Sequence, residues 1–198
     1  MKSKNAIIST IIFFILVGLI YYIHISFFNV NVVFYASITD AVLAALLTWV
    51  ILYTSKCFSL FNHFEKIQLL MIWLLVGYSL AISVPTVIDR SLSFYILEKL
   101  HQRGGGIRFD AFEDVFTKEY VKEHRLVDVR LTEQLEAGTV TIENGCVKLS
   151  EKGKNFARFS TIFRRNLLPK KRLLMGHYSD DLTDPFKASI KKVDYYCE

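Results

Sequence analysis

The chain has 198 residues, a net charge of +5 and three cysteines, Cys57, Cys146 and Cys197. Cysteines so few and so far apart exclude a disulfide framework and a paired-cysteine metal site, though Cys146 and Cys197 could meet in space. The charge is too unevenly placed for a single soluble domain. The chain carries 24 Lys and Arg and 19 Asp and Glu, yet residues 1–87 hold only Lys2, Lys4, Asp40, Lys56, Glu65 and Lys66.

Crossing ~30 Å of hydrocarbon takes ~20 apolar residues in a helix. Three stretches meet this, predicting spans at about 6–28, 32–53 and 67–87. The first begins after Lys2 and Lys4, as a signal peptide does. Its length, and the lack of a small-residue cleavage site before His24-Ile25-Ser26, favour a retained helix. Tyr21, Tyr22, Trp49 and Tyr53 lie near span ends, where aromatic rings prefer the headgroup level.

Asp40 is the intramembrane polar candidate. A carboxylate at depth costs a few kcal/mol and often marks a functional or packing site. The expectation is that Asp40 lies near the helix end, with Ser37 and Thr39 making a polar helix–helix contact. Lys2, Lys4, Lys56 and Lys66 fall on one side, and 24–31 has no Lys or Arg. The positive-inside rule then puts the N-terminus in the cytoplasm and the C-terminal part outside. Arg90, Lys99 and Arg103 beyond the third span oppose this and leave the side open. Asp89 and Arg90 form a candidate pair at the membrane edge, where composition changes between Pro85 and Arg90.

In 91–103, Leu92, Ile96 and Leu100 recur with helical spacing, and Gly104-Gly105-Gly106 ends the helix. Asp110 is placed to cap a helix over 110–121. A further helix is predicted at about 123–137, stopped by Gly138. Val140 and Ile142, then Asn144-Gly145, then Val147 and Leu149 predict a β-hairpin. Ser150 is placed to cap a last helix reaching Leu168 before Pro169, with Phe156, Phe159, Phe163 and Leu167 on one face.

Residues 130–159, RLTEQLEAGTVTIENGCVKLSEKGKNFARF, resemble a winged-helix domain of the helix-turn-helix superfamily. They carry a helix ending at a glycine, a short hairpin as the wing, and a turn, Leu149-Ser150-Glu151-Lys152-Gly153, that opens the next helix. The resemblance covers about 91–168. It implies a mostly α protein, with three transmembrane helices followed by an α+β winged-helix-like domain with one β-hairpin. The expected organisation is an anchor at 1–87, that domain at 88–172, and an aromatic tail at 173–198 docked on the domain or a partner.

The resemblance places a recognition helix at about 123–137, with Arg125 and Arg130 as candidate base readers. Acids outnumber bases over 110–143, the wrong sign for phosphate contact, so DNA is disfavoured. Positive charge gathers later, in Lys152, Lys154, Arg158, Arg164, Arg165, Lys170, Lys171 and Arg172. This patch suits an anionic bilayer surface or an acidic partner. Lipid contact would make the domain cytoplasmic. The phenylalanine stripe is expected to fill the domain core.

No HExxH, GxSxG or Walker A motif is present. His24, His63, His101, His124 and His177 are scattered, and Asp180, Asp181 and Asp184 suit a polar turn. The expected protein is a non-enzymatic multi-pass protein, without cofactor or metal, of a cell membrane such as a bacterial inner membrane. Its expected partners are the bilayer and another membrane protein, to which it is an accessory or regulatory subunit. Alternatives are a membrane-tethered transcription regulator, and a membrane enzyme or lipid-handling protein using Asp40 or the Asp89–Arg90 pair.

Overall fold

The structure, a computed structural model, describes residues 2–188. The protein is mostly helical and divides into two compact units, Met1–Arg125 and Leu126–Glu198.

The first unit is built on three helices long and apolar enough to cross a membrane. Helix α1 spans Lys2–Phe27, and α2 spans Val33–Thr54. Helix α3 begins at His63 and runs to Ala81; a wide π-turn, Ile82–Thr86, carries it into α4, Val87–Arg90. The starts of α1 and α3 lie earlier than the apolar runs suggest, because polar residues hold both. Asn62 and Glu65 form a reciprocal capping box, and Lys2 reaches Glu65 at 2.8 Å.

The core of this unit is Phe13, Ala44, Ala45, Leu52, Phe58, Phe61 and Trp73. Phe13 and Trp73 stack at 5.9 Å, and the Trp73 indole donates to Thr10 Oγ1 at 3.2 Å. Small residues let α2 and α3 approach closely, as in membrane helix packing. A Cβ on Gly77 would sit only 2.9 Å from the Ala41 Cβ. Outward-facing Ile7, Ile11, Ile15 and Leu19 are exposed, an arrangement suited to hydrocarbon and costly in water.

Pro85 explains the wide turn. It lacks an N–H and its ring crowds the preceding turn. The Thr86 hydroxyl instead donates to the Ala81 carbonyl at 2.7 Å. Only Ser91 separates α4 from α5, Leu92–Gln102, and it caps α5 by accepting from the Phe94 N–H.

Beyond the glycines the predicted single helix is broken. A 3-10 turn, Phe109–Ala111, leads into α6, Phe112–Asp114, a π-turn, Val115–Tyr120, and α7, Val121–Glu123. Asp110 does not cap: it lies inside the 3-10 turn, with its carboxylate 3.1 Å from Arg108. Arg125, with φ of 44°, breaks α7 from α8 inside the predicted recognition helix.

The second unit starts with α8, Leu126–Glu136. Strands β1, Val140–Glu143, and β2, Cys146–Leu149, pair antiparallel with Val140 opposite Leu149. Asn144 and Gly145 both take positive φ, the two-residue turn that matches strand twist. Ser150 caps α9, Glu151–Leu167, by accepting from the Gly153 N–H at 3.0 Å. A Cβ on Gly153 would collide with the Thr139 carbonyl, so α9 starts flush against the end of α8.

Two expectations are corrected here. A second hairpin, β3 at Arg172–Leu174 and β4 at His177–Ser179, follows α9 through Met175-Gly176. The phenylalanine stripe does not fill a core: Phe156, Phe159, Phe163 and Leu167 are exposed, and Gly153 alone in α9 is buried. Only the first turn of α9 is packed, since among the described residues no element covers the rest. Tyr178 and Phe186 are exposed as well. The expected docking of Tyr195, Tyr196 and Cys197 lies outside the described residues.

Candidate functional site

The short connection after α1 returns the chain antiparallel, so the last turn of α1 faces the first turns of α2. His24 Nδ1 and Asp40 Oδ1 meet there at 2.7 Å. Asp40 lies seven residues past the start of α2, or about 10 Å along it. Its side chain is 5% exposed. Asp40 is thus buried about two turns into α2 rather than exposed at the helix end. Ser37 and Thr39 do not make the expected interhelical contact. Their hydroxyls bond back to Val33 and Tyr35 of the same helix.

Asp40 Oδ2 has no hydrogen-bond partner. Asp40 lines a cavity of about 560 Å³ between α1, α2 and α3. Gly18, Ala41, Ala81 and Pro85 contribute its apolar wall, and Asp89 lines it too. The Pro85 turn, which departs from regular helix, forms part of that wall. Asp89 and Arg90 approach only to 4.0 Å, and the Arg90 guanidinium lies 5.5 Å from the Phe34 ring centre. Sequence reasoning found Asp40 through its cost in an apolar run, but missed His24. The findable signal was an imidazole one short loop away from the acid.

A second polar centre joins α5 to the 115–123 turns. Lys99, 5% exposed, pairs with Glu119 at 2.7 Å and Glu123 at 2.6 Å. Arg103 also reaches Glu119 at 3.0 Å, and the Tyr95 hydroxyl donates to Glu123 at 2.9 Å. Tyr120 and His124 pack against Tyr95 at 4.6 and 5.2 Å. Hydrogen bonds from Lys99, with further donors from Arg103 and Tyr95, hold both carboxyls below the ordinary range. The same bonds push Lys99 above its usual value. Burial, then Glu123, raises the Tyr95 phenol. Four charged groups that sequence reasoning counted as membrane-flank bases or acidic-face residues form one ion-paired cluster.

The basic patch of the second unit is partly used internally. Lys152 donates to the Ala137 carbonyl at 2.6 Å, closing the end of α8. Lys154 pairs with Glu151 at 2.6 Å, and Arg165 with Asp184 at 3.4 Å. Arg172 opens β3. Arg158 stays exposed on the same helix as the phenylalanines. Of the candidate base readers, Arg130 is held by Glu133 at 2.9 Å, and Arg125 sits in the turn before α8. Cys57 is a free, exposed thiol.

Compared with protein-family models, with curated proteins and with solved structures, the chain shows no match. The class defined by fold and site is a mostly helical protein with three potential membrane-spanning helices and two small hairpins.

Proposed function

We propose that this is a multi-pass membrane protein whose soluble part binds another protein, as an accessory or regulatory subunit of a membrane assembly such as one in a bacterial envelope. The observation that carries the reading is the α9 face. Phe156, Phe159, Phe163 and Leu167 stand exposed along one face, with Arg158 exposed on the same helix. Contiguous exposed apolar surface is a usual mark of an interaction site. The order of α8, hairpin and α9 supports a winged-helix-like form for this part, a fold that serves protein binding as well as DNA binding.

The soluble part lies on the side opposite Lys2, Lys4, Lys56 and Lys66. The charge-free turn between α1 and α2 supports this. This side leaves no access to DNA. Arg130, already held by Glu133, adds nothing for the regulator alternative.

A photo-crosslinking residue at Phe159, in the full-length protein within intact membranes, tests the partner reading. The expected result is one discrete protein adduct, absent when the probe is placed at Thr161, on the opposite face of α9. Labelling of lipid alone, or a protein that stays monomeric and unpartnered, overturns it.

A further inference from the structure

We propose that the cavity between α1, α2 and α3 binds an alkyl chain ending in an ammonium group, with Asp40 holding the head. The cavity, about 560 Å³, is of the size that encloses small organic ligands. Its wall is mostly aliphatic, with Gly18, Ala41 and Ala81 leaving room for a chain. Two carboxylates line it, Asp40 and Asp89, and no Lys or Arg does.

The Asp40 carboxylate supplies the second, independent observation. Oδ1 is occupied by His24 at 2.7 Å, while Oδ2 is buried and has no partner. A buried carboxylate oxygen without a donor costs several times what a satisfied one does, so the site is incomplete as it stands. A donor arriving with a positive charge satisfies the oxygen. A hydrocarbon chain fits the remaining walls, which offer no other polar group at that depth except the Ser37 and Tyr21 hydroxyls. The site lies within 17–89 and stands whether or not α9 binds a partner protein.

The ammonium has two possible sources, the headgroup of an amine-bearing phospholipid and a free long-chain amine. The test uses the full-length protein in phosphatidylcholine nanodiscs with a diazirine-bearing dodecylamine and the matching dodecanol. Labelling by the amine is expected on cavity residues of α1 to α3, and it falls about tenfold in Asp40→Asn, the loss of one charge-assisted contact. Dodecanol labelling is expected to be weaker and unchanged by that substitution. Gly18→Leu provides a variant that keeps the carboxylate. A Cβ at Gly18 meets nothing within 4 Å, so a side chain there has open space to enter the cavity and should block labelling. Competition by phosphatidylethanolamine in the disc identifies a lipid headgroup as the source, and its failure identifies the free amine. Equal labelling by amine and alcohol, indifference to both substitutions, or labelling away from the cavity overturns the proposal.

Discussion

Single side chains with no freedom to change show where each unit is tightest. Gly153 faces the Thr139 carbonyl so closely that any Cβ must move backbone. Gly153→Ala is therefore expected to cost about 1–3 kcal/mol, as overpacking does. The measurement is hydrogen exchange of the β1–β2 amides in the intact protein, and unchanged protection would contradict it. Ser150 and Gly153 were legible as a helix opening, because a cap acts within four residues. The collision with Thr139 was not, since it depends on how the hairpin folds back. Asp40 follows the same division: its cost is visible in the sequence, while His24 is known as its partner only once α1 and α2 lie side by side.

At the scale of elements, polar devices hold helices whose apolar faces alone leave their ends undefined. The Asn62–Glu65 box fixes the start of α3, and Lys2 ties the first turn of α1 to the same carboxylate. Asn62→Ala should cost about 1 kcal/mol in equilibrium unfolding in mixed micelles. Combining it with Lys2→Met should give non-additive losses, because both act through Glu65. The Lys99 cluster makes the 92–125 segment pH-dependent. Glu119 and Glu123, held below 4.5, contribute stability that is complete above that value and is lost as pH falls through their folded-state values. Lys99, raised above 10.5, contributes stability that is complete below that value and is lost as pH rises through its folded-state value. Melting of this segment, followed by near-ultraviolet dichroism of Tyr95 and Tyr120, should be flat between these limits and decline outside both. Lys99→Met should abolish the alkaline loss attributable to Lys99 and lower melting throughout. A profile that keeps its shape in the variant would show that the cluster does not stabilise the segment.

For the whole molecule, the side of each unit is the property on which function turns. Cys57 lies in the α2–α3 connection, with Lys56 beside it and Asn5 donating to its carbonyl at 2.7 Å. The proposed orientation puts that connection in the cytoplasm. Intact cells should then protect Cys57 from a membrane-impermeant maleimide and expose it to a permeant one. Labelling of Cys57 by the impermeant reagent would reverse the orientation and restore DNA as a reachable partner.

By itself the sequence determined the three apolar helices, the Asn144-Gly145 hairpin and the capped start of α9. Each depends on a periodicity, a turn or a cap that acts over a few residues. It overestimated the regularity of 110–125, where aromatic and ionic contacts of 116–124 with α5 compete with continuous helix. It also missed the second hairpin, because Met175-Gly176 is a weak turn signal and the flanking residues do not alternate. Only the tertiary structure decided that Asp40 pairs with His24 beside a cavity, that Lys99 gathers two glutamates, and that the α9 phenylalanines face outward. These are pairings and exposures between residues distant along the chain. They follow from which helix faces lie together, and no local pattern contains that.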